Sequence, residues 1–386
     1  MRNYNKIDML KILNLVTDQI FINDLIDVCE YTKNNHTHDY VVVSDDSKSE
    51  FRFIKNPKVH TIKKHDLLHY IAVKSFNVVI MHGLFQSYID WIPLLPKSIK
   101  LVWFAWGFDL YTYPHFMKPF IKVNLYHKET LKMVMGGLRN RLAIYHALLN
   151  SLLRKSKISN AIYRVDYFSG VLREEYEMMK RLPFFRAKRL SFNYFSLSSP
   201  YKGNVEDYNI TGNNIMVGNS GDSTNNHIDI FNILYERGIT DRKIYVPLSY
   251  GGTPDYISKV VNCGKNLFKN NFVALRDFLP FPQYREMLSS CSNVIMFHER
   301  QQAMGNISMS LWDGKKLFLS KSSIAFQAEK RRGHIIFSIQ DDLGIESVSS
   351  FLPKEEMLHN RKVLLSYGSL QIKIEQMRRV YADLEK

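Results

Sequence analysis

Residues 214–238 read NIMVGNSGDSTNNHIDIFNILYERG, which combines a short apolar strand, a turn of small polar residues and an amphipathic helix. Gly218 and Gly221 permit a tight turn and a close approach of the backbone to a ligand. Ser223 or Thr224 can cap the helix, which leaves backbone N–H groups directed at an anion. The stretch predicts a phosphate-binding turn at the end of a strand, and an ordinary capped turn is the alternative that its spacing leaves open.

The same alternation of strand and helix extends in both directions from this stretch. It predicts a parallel sheet with helices on both faces in each half of the chain, and so an α/β fold with two nucleotide-binding-type sheets in tandem. The strands predicted from short apolar runs are 11–16, 39–45, 51–54, 77–83, 100–107, 161–166, 214–220, 243–251, 271–279, 293–297 and 316–323.

The domain organisation is predicted from a change of composition at 191–214, which is rich in Ser, Asn, Gly and Tyr and has little helical pattern. This segment indicates an interdomain linker. We expect an N-terminal domain at 1–198, a C-terminal domain at 199–365, and a helical segment at 366–386 that can pack back on the N-terminal domain.

The composition excludes several classes of protein. Of the 386 residues, 45% are hydrophobic and 23% are charged, which excludes wholesale disorder. No apolar run reaches the roughly 18 residues of a membrane-spanning helix, and the first residues do not read as a secretion signal. Cys29, Cys263 and Cys291 are too few and too widely spaced for a disulfide framework or a zinc pattern, which fits a reducing cytosol.

The charge is unevenly distributed along the chain. The total is +15, from 52 Lys and Arg and 37 Asp and Glu. Residues 111–190 hold 16 basic and 5 acidic residues, a local +11, interleaved at helical spacing with Tyr, Phe, Leu and Met. Basic amphipathic helices of this kind bind anionic lipid surfaces. A solvated basic face over a core helix is the alternative, and no nucleic-acid-binding signature is present.

A second polar motif, FHERQQAMGN, follows the apolar run NVIMF. Arg300 has the planar donor fork that neutralises a diphosphate. Gln301 and Gln302 offer donors and acceptors to a base or a sugar, and Gly305 and Asn306 begin a helix whose N-terminus favours phosphate. A surface ion pair between Arg300 and its neighbour in sequence is the competing interpretation.

The first half carries two further polar loops, MHG and WGFDLY, each after a predicted strand. His82 or Asp109 is placed to take a proton from an attacking hydroxyl. A buried structural histidine and a helix-capping aspartate are the alternatives for these two residues. Gly83, Trp106 and Gly107 complete the predicted acceptor side.

The sequence lacks the motifs of several other classes of enzyme. The sequence has no HExxH, no Cys/His set and no GxSxG, and neither glycine turn is a GxGxxG or Walker loop. Without a metal, positive side chains and helix dipoles must stabilise a diphosphate.

The segments GNSGDSTNNH, YVPLSYG and ERQQAMGN, together with MHGLF and WGFDLYTY earlier in the chain, resemble the bacterial TDP-N-acetylfucosamine:lipid II N-acetylfucosaminyltransferases, which make the lipid-linked trisaccharide of enterobacterial common antigen. The resemblance covers most of the chain. It implies a GT-B fold, a nucleotide-sugar donor held by the C-terminal domain without a metal or other cofactor, and a polyprenyl-diphosphate saccharide acceptor. It also implies a peripheral protein at the cytoplasmic face of the inner membrane, with no nucleic-acid partner.

On this basis we predict a metal-independent glycosyltransferase. A related GT-B transferase with another donor and acceptor, a non-catalytic nucleotide-sugar-binding protein and a basic nucleic-acid-binding protein are the alternatives. The predicted catalytic residues are Asp109, His82 and Arg300. The predicted donor-binding residues are Gly218, Asn219, Ser220, Gly221, Asp222, Asn225, His227, Tyr250, Arg300, Gln301, Gln302, Gly305 and Asn306.

Overall fold

The computed structural model describes residues 9–19, 21–32, 35–45, 50–111, 124–192, 194 and 210–386. Most of the predicted linker at 191–214 and residues 112–123 of the basic segment lie outside this described part. The chain divides into two compact units. The first comprises residues within 1–122, 147–196 and 368–386, and the second comprises residues within 123–146 and 197–367. The segment 123–146, assigned above to the N-terminal domain, thus clusters with the second unit.

The first unit contains a seven-stranded parallel sheet in the order β3-β2-β1-β4-β5-β6-β7. Its strands are β1 (Lys11–Val16), β2 (Thr37–Val43), β3 (Val59–Ile62), β4 (Val78–His82), β5 (Lys100–Phe104), β6 (Tyr167–Ser169) and β7 (Lys188–Arg189). Strands β4 and β5 are nearly continuous apolar runs because helices cover both faces of a parallel sheet.

The second unit contains a six-stranded parallel sheet in the order β10-β9-β8-β11-β12-β13. Its strands are β8 (Asn214–Val217), β9 (Ile244–Pro247), β10 (Phe272–Leu275), β11 (Cys291–Met296), β12 (Lys316–Leu319) and β13 (Phe337–Ser338). This is the doubly wound order in which the direction of winding reverses once, between β8 and β11. Both sheets are of the predicted Rossmann-like type.

The helices alternate with the strands. They are α1 (Phe21–Tyr31), α2 (Leu67–Lys74), α3 (Phe108–Tyr111), α4 (Lys128–Val134), α5 (Leu138–Leu153), α6 (Lys155–Arg164), α7 (Arg173–Lys180), α8 (His227–Glu236), α9 (Pro254–Phe268), α10 (Phe281–Ser289), α11 (Met304–Trp312), α12 (Ile324–Arg332), α13 (Ile345–Ser349), α14 (Lys354–Gly368) and α15 (Leu370–Leu384).

Two strand predictions are wrong. Residues 51–54 form no strand because the carboxylate of Asp18 accepts hydrogen bonds from the backbone N–H groups of Arg52, Phe53 and Ile54 (2.7–3.0 Å). These are the groups that a sheet ladder would use. Residues 161–166 mostly belong to α6, whose Ile158, Ala161 and Ile162 are buried at helical spacing. The strands there are β3 and β6 instead.

Each unit has its own hydrophobic core. In the second unit, apolar residues of α8 and α9 pack on the strands, and Phe231 and Val260 are fully buried. In the first unit, α1 and α15 cover one face of the sheet, with Met377, Val380, Tyr381 and Leu384 of α15 buried beside β1 and β2. Residues at the end of the sequence therefore complete a core that begins at β1.

Candidate functional site

Both sequence motifs of the second half lie at one edge of the second sheet. The turn at 218–222 follows β8 and the loop at 297–303 follows β11, and these two strands are neighbours. The backbone N–H of Gly218 donates to the carbonyl of Ile295 (2.9 Å) and so joins the two strand ends. This is the topological switch point of the sheet, where open α/β folds bind their ligands.

The turn after β8 requires its glycines. Gly218 has φ +70°, and a Cβ atom there would lie 3.0 Å from His227 Nε2. A Cβ atom on Gly221 would lie 2.7 Å from the carbonyl oxygen of Gly251, and Gly252 has φ +73°. The turn thus packs directly against the backbone of the 250–252 loop, to which the Gly221 N–H donates at the carbonyl of Tyr250 (2.8 Å).

Side chains of the two motifs form one hydrogen-bonded network. Gln302 Nε2 donates to Asn219 Oδ1 (2.9 Å), and Thr224 Oγ1 lies 2.7 Å from Gln302 Oε1. Arg300 Nε donates to Thr224 Oγ1 (3.3 Å), and its Nη2 lies 3.9 Å from Asp222 Oδ2. The side chain at 300 therefore points to the turn at 218–224, so both motifs face one place.

Two helices begin at this edge without a side-chain cap. The N-cap of α8 is Asn226 and that of α11 is Ala303, and both have left-handed backbone, with φ 52° and 57°. Non-glycine residues in this conformation are strained, and such strain concentrates at functional sites. Ala303 has no polar group with which to cap, and a Cβ atom on Gly305 would meet nothing within 4 Å. The first N–H groups of α11 therefore have no side-chain cap, and the space beside Gly305 is open.

A cavity of about 220 Å³ lies beside the start of α11, at the ends of β9 and β10. Its lining is Asn219, Pro247, Ser249, Tyr250, Leu275, Asp277, Phe278, Leu279, Tyr284 and Asn306. Three of these residues are aromatic, and three carry a side-chain amide or carboxylate. Asn219, Tyr250 and Asn306 were predicted from the sequence, and the other lining residues were not. Asp277, Phe278, Leu279 and Tyr284 belong to the segment RDFLPFPQY, whose first four residues lie within the strand predicted at 271–279.

Several residues predicted to bind the sugar donor instead lie beneath the turn at 218–222 and hold its conformation. Asn225 is fully buried and donates to the carbonyl of Ser220 (3.0 Å). His227 is fully buried, with Nδ1 3.2 Å from Tyr256 Oη, and burial lowers its pKa to about 4. Ser220 and Gln301 are also buried. These residues fix the turn, whereas Asn219, Tyr250 and Asn306 line the cavity.

The segment before α4 packs against the same edge and was not identified from the sequence. Its backbone is held by Asn226, whose Oδ1 accepts from the His127 N–H (2.8 Å). His127 Nε2 lies 2.8 Å from Glu299 Oε1, and its ring stacks on Phe297 at 3.9 Å and 13°. Because the partners are 172 residues apart, no local pattern marks this contact.

Asp109 of the first unit is fully buried. Its Oδ2 accepts from the Leu84 N–H (2.9 Å) and from Trp103 Nε1 (2.6 Å), and its Oδ1 accepts from the Trp106 N–H (3.0 Å). Burial raises the pKa of this carboxyl, against those hydrogen bonds. The carboxylate ties together the loops after β4 and β5, and both its oxygens are occupied.

His82 is also fully buried, in a chain of polar groups inside the first unit. Its Nδ1 hydrogen-bonds Tyr194 Oη and its Nε2 lies 3.2 Å from Asn14 Oδ1. The chain continues from Asn14 to His38 (3.3 Å) and from His38 to Tyr381 of α15 (3.1 Å). Burial lowers the pKa of His82 to about 3, so the ring is neutral. The role of His82 or Asp109 as a proton acceptor stays a prediction.

The other acceptor-side residues lie in the same loops of the first unit. Gly83 and Gly107 have φ +90° and +88°, and a Cβ atom on Gly83 would lie 2.9 Å from the Phe108 ring. Trp106 is partly buried and packs edge-on against Phe21, with ring centroids 4.7 Å apart. These three residues lie in the loops that follow β4 and β5.

Two features are absent from the described residues. No group of three or more His, Cys, Asp or Glu side chains there is placed to hold a metal ion. Across the same residues, no helix combines the length and the apolar character needed to cross a bilayer.

Comparison with known proteins gave one family match. The family model described as 4-alpha-L-fucosyltransferase, glycosyl transferase group 56, matches residues 176–350. The matched segment includes both motifs and all the residues that line the cavity. It ends before α14 and begins after the acceptor-side loops of the first unit.

Solved structures of similar fold cover nearly the whole chain. A glycosyltransferase from Rickettsia africae ESF-5 has 11% identity and a TM-score of 0.61, over 98% of this chain and 99% of that chain. Sucrose-phosphate synthase from Thermosynechococcus elongatus has 9% identity and a TM-score of 0.63, over 97% and 99%. Anabaena HepE in complex with UDP has 10% identity and a TM-score of 0.59, over 97% and 100%. These similarities confirm the GT-B fold, and with the family match they support a glycosyltransferase.

Proposed function

We propose that this protein transfers a sugar from a nucleotide diphosphate donor bound at the second unit. The observation that carries the proposal is the convergence of Arg300, the turn after β8 and the uncapped start of α11 at one switch point. Free N–H groups and a guanidinium bind diphosphate, and they stabilise it most when the glycosidic bond breaks and negative charge develops there. The groups at the ends of β8 and β11 are therefore suited to bind the departing nucleoside diphosphate.

The cavity beside α11 is proposed to hold the nucleoside. Tyr250, Phe278 and Tyr284 supply rings for stacking on a base, and Asn219 and Asp277 supply hydrogen-bonding groups. The resemblance to TDP-sugar transferases favours a thymidine nucleotide, and the UDP complex of the similarly folded Anabaena protein favours a pyrimidine more generally. We therefore propose a TDP-linked donor.

The transferred sugar and the acceptor are proposed from the family match and the sequence resemblance. The matching model describes fucosyltransferases, which supports a 6-deoxy sugar, and the resemblance specifies N-acetylfucosamine. The proposed acceptor is a polyprenyl-diphosphate-linked saccharide in bacterial surface glycan synthesis, as in enterobacterial common antigen. The reaction would then take place at the cytoplasmic face of the inner membrane.

Helix α5 supports membrane attachment. Every described side chain from Arg141 to Leu153 is exposed, including the apolar Leu142, Tyr145, Leu149, Leu152 and Leu153. Exposed basic residues lie before and after them, at Arg141, Lys155 and Lys157. A helix with exposed leucines and basic neighbours fits the interface of an anionic bilayer. We propose that α5 is the membrane-contacting element of the basic segment at 111–190.

Metal independence is part of the proposal. Arg300 and the helix start supply the positive charge that a divalent ion would otherwise bring to the diphosphate. Turnover that is unchanged by excess chelator is the expected result, and loss of turnover restored by Mg²⁺ or Mn²⁺ would contradict this part.

The experiment that tests the function is a thermal-shift screen of nucleotides and nucleotide sugars, because a ligand that binds the native state raises the melting temperature. We expect TDP and TDP-sugars to give the largest shifts. A transfer assay with a polyprenyl-diphosphate saccharide then separates an enzyme from a protein that only binds the donor. A preference for another nucleotide would identify a related transferase with a different donor, and equal melting temperatures with all nucleotides would contradict the proposal.

A further inference from the structure

We propose that His127 and Glu299 form a dyad in which His127 Nδ1 accepts the proton of the acceptor hydroxyl while Glu299 positions the imidazole. This inference rests on the proposed function and adds a catalytic residue and a positioning residue to it. Neither residue was identified from the sequence. The dyad lies in the second unit, beside the edge that is proposed to bind the donor diphosphate.

Three contacts fix the imidazole ring. The ring Nε2 lies 2.8 Å from Glu299 Oε1, and the ring stacks on Phe297 with the centroids 3.9 Å apart. The backbone N–H of His127 donates to Asn226 Oδ1 (2.8 Å). The Nδ2 atom of Asn226 is itself within hydrogen-bond distance of the carbonyls of Leu125 and Phe297 (3.1 and 2.9 Å). Proton acceptors need this kind of orientation because transfer depends on geometry first.

The surroundings of Glu299 set the tautomer of His127. Ser320 Oγ donates to Oε1 (2.5 Å) and Ser322 Oγ donates to Oε2 (2.8 Å). Burial raises the pKa of Glu299, but the hydrogen bonds from His127, Ser320 and Ser322 outweigh it and leave the pKa below its usual value. The ionised carboxylate only accepts hydrogen bonds, so the neutral imidazole carries its proton on Nε2 and leaves the Nδ1 lone pair available.

Exposure distinguishes His127 from the residues predicted earlier. Its side chain is 30% exposed, whereas His82 and Asp109 have no exposed surface. Among the described residues, no hydrogen bond engages His127 Nδ1, whereas both nitrogens of His82 and both oxygens of Asp109 are engaged. A substrate hydroxyl can therefore reach only His127 of the three without a rearrangement.

The two residues of the dyad lie in segments that also contribute to the predicted donor site. Glu299 precedes Arg300, which is proposed to hold the diphosphate. Tyr126 precedes His127, and its Oη lies 3.4 Å from Ser223 Oγ of the donor turn. Both members of the dyad are thus one residue away from groups that contact the predicted donor site.

The proposed step balances as follows. The acceptor hydroxyl oxygen forms a bond with the anomeric carbon while the carbon–oxygen bond to the diphosphate breaks, and the electron pair of that bond leaves with the diphosphate. The hydroxyl proton passes to His127 Nδ1. The resulting imidazolium is stabilised by Glu299, as in other histidine–carboxylate pairs, and it then releases the proton to solvent.

The test compares His127→Ala with the wild type in two assays, TDP binding by calorimetry and sugar transfer from a TDP-sugar. We expect unchanged TDP affinity and a fall in kcat of about 10²–10⁴-fold, the scale of losing a general base. Added imidazole is expected to restore part of the activity to His127→Ala. His65→Ala is the matched control, because His65 is an exposed histidine of the first unit.

The outcomes separate the dyad from the proposed function. Near wild-type kcat in His127→Ala, or equal losses of TDP affinity and activity without imidazole rescue, would overturn the dyad while leaving the function intact. Absence of transfer by the wild type would contradict the function instead. In that case ¹⁵N-histidine NMR tests the His127–Glu299 pair directly. A proton on His127 Nε2 in the wild type that is lost from this position in Glu299→Gln supports the pair. A proton on His127 Nδ1 in the wild type overturns it.

Discussion

Among single residues, Arg300 has the clearest chemical task. Its guanidinium is largely buried and reaches Thr224 and Asp222 across the switch point. We expect Arg300→Ala to lower kcat by ~10²-fold or more, since a donor aimed at developing charge acts mainly in the transition state. Steady-state kinetics with a TDP-sugar measures this. Arg181→Ala, on the surface of the first unit, is the control, and wild-type kcat in Arg300→Ala would remove Arg300 from the mechanism.

Substitution of Gly305 is expected to affect ligand binding, whereas substitution of Gly252 is expected to affect stability. A methyl group on Gly305 enters open space where phosphate is proposed to bind, and alanine favours a helix. Gly305→Ala should keep the melting temperature and weaken TDP binding by about tenfold or more, the loss of one or two charged hydrogen bonds.

A Cβ atom on Gly252 would lie 2.0 Å from the Gly221 carbonyl oxygen, at φ +73°. Gly252→Ala should therefore lower the free energy of unfolding by at least about 1–2 kcal/mol. Thermal melting and calorimetry compare the two variants, and undiminished TDP affinity in Gly305→Ala would contradict the proposed phosphate position.

Glu175 introduces a pH dependence of stability in the first unit. Burial raises its pKa to about 8, partly opposed by the hydrogen bond from the Leu172 N–H. An acid with a raised native pKa binds its proton more tightly when folded, so its contribution is fully present below the usual pKa of about 4.5 and is lost as pH rises through 8. Glu175→Gln should remove this loss.

Urea unfolding at pH 5 and pH 9 tests the Glu175 prediction. The wild type should lose more stability than Glu175→Gln between these values, because only the wild type has a buried carboxyl to ionise at this position. Parallel changes in the two proteins would show that the carboxyl is ionised in the native state at both pH values.

The sequence was informative about site residues that follow strands and uninformative about those that come from elsewhere. Asn219, Arg300 and Gln302 were recognised because small and polar residues directly after an apolar run have few structural explanations. Tyr284 was missed because an aromatic residue in an amphipathic helix is typical of a core. His127 was missed because its partner is distant in sequence.

At the level of secondary structure, the periodicity of apolar residues and the local composition predicted the two sheets. Tertiary contacts explain the strands that were predicted wrongly. Strand β1 matches its predicted bounds, and β4, β5 and β8 lie within theirs. The run at 51–54 has the residues of a strand, but its backbone donors are taken by Asp18, so β3 forms further on. Such a contact between loops leaves no local pattern in the sequence. Short edge strands such as β3 also show only a weak sequence pattern.

The proposed role of α5 gives a prediction for the whole helix. Replacing Leu149, Leu152 and Leu153 with serine removes apolar surface that is already exposed, so folding should be unaffected. Binding to vesicles of phosphatidylglycerol and phosphatidylethanolamine should fall about tenfold or more. Sedimentation measures the bound fraction. Leu370→Ser, an exposed leucine on α15, is the control, and equal sedimentation of the triple variant would exclude α5 as the contact.

For the molecule as a whole, the main feature is that the first unit is built from separated parts of the chain. Lys100 Nζ donates to the carbonyl of Leu384 (2.7 Å), and Tyr167 Oη donates to the carbonyl of Asp383 (2.9 Å). Tyr381 of the same helix meets His38. Helix α15 is thus anchored to three strands of the first sheet.

This anchoring predicts a large effect of a core substitution on α15. Leu384 is fully buried, and Leu384→Ala should lower the free energy of unfolding by about 2–5 kcal/mol through lost burial and the cavity left behind. Chemical denaturation followed by tryptophan fluorescence measures it, since three of the four tryptophans, Trp91, Trp103 and Trp106, lie in the first unit. Leu370→Ala, at an exposed position, should have little effect, and equal small effects of both substitutions would show that α15 contributes little to the core.

Helix α15 also constrains the order in which the protein matures during translation. The ribosome makes the strands of the first sheet early, then residues 197–367 of the second unit, and only afterwards the helix that covers the first sheet. At ~5–20 residues per second, this interval lasts roughly 10–35 s. During it, the part of the apolar sheet face that α15 covers stays exposed on the nascent chain, so molecular chaperones have a binding surface there until α15 packs.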